Sequence, residues 1–320
     1  MASETIGILL GVYNGTRFIE TQIQSYLGQS HADWLVLARN DGSTDDSGRI
    51  LAQHARNDSR FHVMTDDGKN LGVIRNFSAL MGAALDTDCR YFAFSDQDDF
   101  WHPDKLSRQL QCIQDAEKVS PGSPVLVHSD AMVADAHLKE ISPSFMSYQG
   151  IGHQTSDPLK NLLVQNFVTG CTVMVNRRLL ALAYPVPGTV LMHDWWLALW
   201  AAALGRIEFI ARPLIHYRQH ENNQIGAKSI ARHLNPFTGR WFHLWNSGRR
   251  YLAQSVTQAG DLARRMEEQD LKSRDFELIR AYASLLDLTP LQRIRFLTRQ
   301  GIVPQTLLRR CLMISRLFFI

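Results

Sequence analysis

The sequence predicts an α/β fold in which a mostly parallel sheet carries its chemistry at one edge and a helical region follows. Three observations predict it. Across the first half, short β-rich runs alternate with amphipathic segments, the pattern of βα units. One such run, YFAFS (91–95), is apolar on both faces, as expected of a strand covered by helices on either side. After Asn223 the character changes to long helical patterns rich in Arg, Gln and Leu.

IGILLGV (6–12) reads as the first strand, followed by Phe18, Ile19, Gln22, Ile23, Tyr26 and Leu27 at helical spacing. WLVLA (34–38) gives the second strand, with a helix near 46–56. FHVMT (61–65) gives the third strand, 73–85 a helix, and YFAFS the fourth strand. Beyond residue 124 the order is less regular. VLVHSD (125–130) reads as a strand, NFVTGCTVMVNRRLL (166–180) as a strand running into a helix, LMHDWWLALWAAALG (191–205) as an apolar helix, and IEFIARPLIHYRQH (207–220) as one or two strands. These patterns place residues 1–225 in one domain and 226–320 in a helical extension. No internal repeat is visible.

With 320 residues, 45% hydrophobic and 20% charged, the chain can bury a full core. Cys89, Cys112, Cys171 and Cys311 are scattered without CxxC spacing, which suggests free thiols in a reducing compartment. The N-terminus lacks the basic region of a signal peptide, and no stretch reaches the roughly 20 apolar residues of a membrane span. A cytoplasmic protein is expected. The net charge of +3 conceals an asymmetry: residues 290–320 hold six arginines and no acid, while residues 1–289 carry 28 basic against 31 acidic groups.

SDQDDFWHPD (95–104) places Asp96, Asp98 and Asp99 directly after the fourth strand. Ligands of open α/β sheets bind at the carboxyl ends of strands, where Tyr13 and Asn14 follow the first strand and Asp41 the second. Clustered carboxylates raise each other's pKa unless a cation compensates. Mg²⁺ or Mn²⁺ suits such oxygen donors, usually with substrate phosphates completing its shell. The bland alternative is an acidic turn capping a helix that starts at Pro103. Neither GxxxxGK[ST] nor GxGxxG is present, so a diphosphate would be held otherwise, by an ion at Asp98 with help from Arg75.

The motifs GVYNG (11–15), NDGSTD (40–45), KNLGVIRNF (69–77), SDQDDFWHPDKL (95–106), HSD (128–130), NFVTGCT (166–172), HDWW (193–196) and YRQHENN (217–223) follow in an order that resembles the inverting GT-A glycosyltransferases of family 2, especially the rhamnosyltransferase-like branch. The resemblance covers about residues 5–225 and implies the Rossmann-like nucleotide-diphospho-sugar transferase fold. It also implies roles: Tyr13 against the nucleotide base, Asp41 hydrogen-bonded to the pyrimidine, Asp96 on the ribose, Asp98 on the metal and Asp194 as catalytic base. His220 is a second candidate metal ligand and Arg218 a candidate phosphate partner. Asn40 departs from the pattern, since many relatives carry a second aspartate there.

The implied reaction moves a sugar, best L-rhamnose from dTDP-L-rhamnose, onto a hydroxyl of a lipid-linked or cell-surface glycan. A metal would neutralise the diphosphate that leaves, and a carboxylate would take the acceptor proton. UDP-hexose donors are the alternative, as is a noncatalytic nucleotide- or glycan-binding module. A phosphohydrolase is disfavoured by the lack of a DxDx[TV] motif after the first strand. For Asp194 the competing role is a helix N-cap, and for Trp195 and Trp196 burial in the core. LLRRCLMISRLFFI (307–320) reads as a basic, apolar helix lying on the inner membrane face or, alternatively, packed on the catalytic domain. Nucleic acid is not an expected partner, because no recognised binding fold accompanies the basic tail.

Overall fold

The computed structural model describes residues 4–65, 68–221, 241–271 and 273–320. The first βα units run β1 (Ile6–Val12), α1 (Ile19–Leu27), β2 (Trp34–Asn40), α2 (Ser47–Asn57), β3 (Phe61–Val63), α3 (Val73–Leu85) and β4 (Tyr91–Ser95). Then come β5 (Phe100–Trp101), α4 (Lys105–Val119), β6 (Val125–Ala134), β7 (Glu140–Ser142), α5 (Phe145–Gln149), α6 (Pro158–Leu162), β8 (Met174–Asn176), α7 (Arg177–Ala183), α8 (His193–Leu204) and β9 (Arg206–Arg218). The extension contributes α9 (Trp241–Glu268), α10 (Phe276–Ala283), α11 (Pro290–Gln300) and α12 (Leu307–Leu317).

These strands form one sheet in the order β3-β2-β1-β4-β8-β6-β9-β5, with β7 against β6. The first four are parallel, with Ile6 opposite both Trp34 and Tyr91. The sheet is mixed rather than mostly parallel, because β8 runs antiparallel to both β4 and β6. Alternation along each strand divides the core. Ile6, Ile8, Leu10, Tyr91 and Ala93 face α1 and α4, whereas Leu9, Phe92 and Phe94 face α3, α7 and α8.

The second side explains α8. It is apolar all round and buried all round, as such a helix must be. Trp195 and Trp196 are both core, their indole N–H groups donating to the carbonyls of Leu162 (2.6 Å) and Ala183 (2.8 Å). Leu252, Val256, Tyr282, Leu297 and Leu317 of the extension share this core with Phe92 and Trp196. The boundary expected at 225/226 lies outside the described residues.

Three local expectations are corrected. The helix after the acidic run begins at Lys105, because Phe100–Trp101 first pairs with His216 and Ile215 of β9. The aspartates at 96–99 therefore do not cap it. Residues 166–180 form a loop, a 3-10 turn at Gly170–Thr172, the three-residue β8 and α7, rather than one strand leading into a helix. Residues 206–218 are one strand, its register shifting near Pro213.

Candidate functional site

The site lies where the loops after β1, β2 and β4 meet the start of α8 and the end of β9. Its floor is polar. The Tyr26 hydroxyl lies 2.5 Å from Ser95 Oγ, and Gln22 Nε2 donates to the same atom at 3.2 Å. Ser95 Oγ in turn donates to the Asp96 carbonyl at 2.9 Å, fixing the first peptide of the acidic loop.

Gln97 joins two loops. Its Oε1 accepts from the Tyr13 N–H at 2.7 Å and its Nε2 donates to the Tyr13 carbonyl at 2.8 Å. That pairing needs a glycine at 15, since a Cβ there would fall 2.5 Å from Gln97 Oε1. Tyr13 itself is 44% exposed, open to a ligand. Asn14, at φ 49°, accepts from the Thr44 N–H at 2.8 Å and donates its own N–H to Ser43 Oγ at 2.9 Å, linking the β1 and β2 loops.

Asp41 is buried behind these loops. Arg39 donates to its Oδ1, which also accepts from the Leu71 N–H at 2.7 Å, while Oδ2 accepts from the Gly72 N–H at 2.9 Å. The carboxylate expected to meet a pyrimidine ring is thus engaged in holding the 69–72 loop in place. Arg75, just beyond that loop on α3, is exposed, and its side chain makes no hydrogen bond or ion pair among the described residues.

Asp98 and His220, 122 residues apart in sequence, come together with Oδ2 and Nε2 2.8 Å apart. Phe18 supports the pair from α1's entry: its ring lies 4.7 Å from His220 and 4.5 Å from the Arg218 guanidinium. Arg218 is buried. It donates Nε to the Asp98 carbonyl (2.7 Å) and Nη1 to the Ala136 carbonyl (2.6 Å), so the expected phosphate partner also holds the acidic loop. The Arg218 N–H also donates to Asp99 Oδ1 at 3.2 Å.

Ligating atoms of Asp96, Asp99 and Cys171 lie within 4.8 Å of one another. Burial, then the charges of Asp98 and Asp194, raises Asp96 to about 7. Burial, then Asp98 and Asp96, pushes Asp99 well above the usual carboxylate range. Asp99 Oδ2 is buried without a hydrogen-bond partner. Beneath it, burial lowers the fully buried Lys105 to about 7, although Cys171 and Asp99 oppose the shift. Carboxylates starved of compensating charge, beside one imidazole, form a donor set that fits a divalent cation.

Asp194 sits in the first turn of α8, whose cap residue is Met192, so it is not the N-cap. Its Oδ1 accepts from the Trp195 N–H at 2.5 Å and from Asn166 Nδ2 at 3.2 Å. Burial nevertheless raises it to about 7. Its charge also raises Asp96, which places the two carboxyls in one neighbourhood. His193, stacked on Phe77 with ring centroids 4.0 Å apart, lies beside it, buried and held neutral.

The geometry therefore unites Tyr13, Asn14, Asp96, Asp98, Asp194 and His220, and gives Asp41 and Arg218 supporting positions. Sequence reasoning missed Gln97, Phe18 and Asn166 as contributors. Gln97 carried a signal in its place between Asp96 and Asp98, and Asn166 in opening the NFVTGCT motif; Phe18 carried only its helical spacing.

The family model for glycosyl transferase family 2 matches residues 8–181. The chain is similar to the dTDP-rhamnosyl transferase RfbG of Shigella flexneri, 25% identical over 246 residues, which are 73% of this chain and 80% of that one. It is similar to the putative teichuronic acid biosynthesis glycosyltransferase TuaG of Bacillus subtilis, 32% identical over 175 residues, 54% of this chain and 62% of that one. Among solved structures, S. aureus TarS 1–349 in complex with UDP superposes with a TM-score of 0.52 at 14% identity, covering 98% of this chain and 89% of that one. The mannosyltransferase PcManGT of Pyrobaculum calidifontis, in complex with GDP-Man and Mn²⁺, gives 0.50 at 15% identity, covering 97% and 78%. These two likenesses show the GT-A fold.

Proposed function

The chain belongs to glycosyl transferase family 2, a nucleotide-sugar glycosyltransferase of polysaccharide biosynthesis, and from that premise we propose an inverting, metal-dependent transfer with Asp194 as base. The observation that carries this reading is the placement of Asp194 near the acidic loop, close enough for its charge to raise Asp96. Asp98 and His220 would hold the cation, and Asp96 would face the ribose. Oxygen donors admit Mg²⁺ or Mn²⁺, and the imidazole favours Mn²⁺. When bound, the ion neutralises charge on the departing diphosphate.

The remaining steps belong to the chain. Tyr13 and the loops tied by Gln97 and Asn14 receive the nucleotide, and Arg75 meets its diphosphate. The acceptor hydroxyl attacks the anomeric carbon from the face opposite the leaving group, and its proton passes to Asp194. The bond from that carbon to the diphosphate oxygen breaks, its electron pair leaving with the nucleoside diphosphate. A base held near 7 by burial is poised for this proton.

For the donor, the dTDP-rhamnosyl transferase among the relatives supports dTDP-L-rhamnose, with UDP-hexoses as the second reading supported by the UDP-bound structural neighbour. The acceptor is a lipid-linked or cell-surface glycan, and the protein works at the inner face of the cell membrane. No helix among the described residues is long and apolar enough to cross that membrane. Labelled dTDP-L-rhamnose and UDP-glucose offered to the enzyme with Mn²⁺, water taking the sugar slowly where no glycan hydroxyl is supplied, test the donor. Release of dTDP alone supports rhamnosyl transfer, release of UDP alone selects the second reading, and release of neither contradicts both.

A further inference from the structure

The extension ends in a helix with two distinct sides. Thr306 caps α12 by accepting from the Arg309 N–H, and Met313 and Leu317 enter the shared core. Arg316 lies flat against Gly248 of α9, where a Cβ would fall 2.0 Å from its guanidinium carbon. Buried Arg293 donates to the carbonyls of Leu317 (3.0 Å) and Ile320 (2.8 Å), pinning the helix end.

The other side is exposed among the described residues, apart from Phe319, whose ring meets Trp245 at 5.1 Å. Leu307 (76% exposed), Cys311, Ile314 (40%) and Phe318 (48%) recur at i, i+4, i+7 and i+11, one stripe of a helix, with Phe319 (59%) beside its end. Arg295, Arg299 and Arg310 are exposed on the same two terminal helices, and residues 290–320 contain no acid. An apolar row accompanied by unopposed arginines is complementary to an acidic bilayer surface.

The same segment is stitched to the catalytic region. Gln305 donates Nε2 to the Gly152 carbonyl (2.6 Å) and accepts the Gly152 N–H (2.7 Å), and its own N–H reaches Gln165 Oε1 (3.0 Å). Asn161 donates to the Val303 carbonyl at 3.1 Å. Arg309 donates to the carbonyls of Gly150 (3.1 Å) and Gln149 (2.9 Å). The loop so held ends at Asn166, which donates to Asp194.

We propose that the stripe of Leu307, Cys311, Ile314 and Phe318 seats on a bilayer bearing anionic headgroups, and that seating tightens the 303–309 segment on loop 149–166 and so fixes the Asn166–Asp194 contact. The coupling half rests on Asp194 being the base; the docking half does not.

Flotation with phosphatidylglycerol–phosphatidylcholine vesicles, and nucleoside diphosphate release with and without them, test both halves. The full-length enzyme is expected to float with these vesicles, to stay behind with pure phosphatidylcholine, and to release product several-fold faster when bound. The double variant Ile314→Asp, Phe318→Asp is expected to keep its melting temperature and basal rate but to lose flotation and stimulation. Gln305→Ala is expected to float without stimulation. A wild type that does not float, or a double variant that floats equally well, overturns the docking. A wild type dimer that the double variant breaks, without flotation, assigns the stripe to a second copy. Flotation without stimulation overturns the coupling, whereas flotation with no basal release in any condition overturns instead the transferase reading on which the coupling rests.

Discussion

At Asp194 two effects oppose each other: hydrogen bonds from Trp195 and Asn166 favour the carboxylate, and burial favours the acid. Burial prevails, placing the group at about 7. A base acts only when deprotonated, so the transfer rate is expected to fall with each unit of pH below about 7 and to level off above it. Asp194→Asn is expected to remove about 10² to 10⁴ of that rate while leaving nucleotide affinity unchanged, as steady-state rates and calorimetry would read. The sign for stability is opposite. A carboxyl raised in the folded state disfavours folding increasingly as pH climbs from its unfolded value through its folded one. Asp194→Asn is therefore expected to melt higher than wild type at pH 8, and a lower melting temperature would contradict the burial account.

At the scale of elements, the acidic loop is shaped from outside itself. Arg218, at the end of β9, donates to the Asp98 carbonyl, and Phe18 packs on both Arg218 and His220. Outer partners of a metal site commonly contribute 10–100-fold to its affinity. Arg218→Gln is expected to weaken Mn²⁺ binding by about tenfold or more with the fold intact, measured by metal titration alongside circular dichroism. Had Arg218 bound phosphate alone, metal affinity without nucleotide would not move. This work was not legible in the sequence, where Arg218 reads as a cation near a histidine. β1, β2 and β4 were legible, because apolar runs of five to seven residues between amphipathic helices announce themselves locally, and β3 from its place between two helices, though only Phe61–Val63 pairs. β5 and β8 were not, being two and three residues long and defined by partners far away in sequence. Asp96, Asp98, Asp194 and His220 were legible from motif order; Gln97's bridge to Tyr13 and Asn166's bond to Asp194 depend on loop paths that no local pattern encodes.

At the scale of the molecule, the extension is part of the catalytic body. Tyr282 and Leu317 lie in the same core as Phe92 and Trp196, and Tyr251 meets the Trp195 ring at 5.1 Å. A chain ending at residue 225 would expose that core, and it is expected to be insoluble or to lack a cooperative melt, as calorimetry of the truncated protein would show. Charge is divided across the molecule as well, with all positive excess in the last two helices and a net negative remainder. The acidic site and the arginine-rich terminal helices thus differ in sign, and only the latter would be drawn to an anionic surface.

The central claim is that Asp98 and His220 gather a divalent ion on which a nucleoside diphosphate is held. Calorimetric titration of dTDP, UDP and GDP, with and without Mn²⁺, into the wild type and Asp98→Asn tests it most directly. The account predicts Mn²⁺-dependent binding of dTDP or UDP that Asp98→Asn abolishes, the tighter nucleotide naming the donor class. Equal binding with and without the metal, or binding untouched by the substitution, would contradict it.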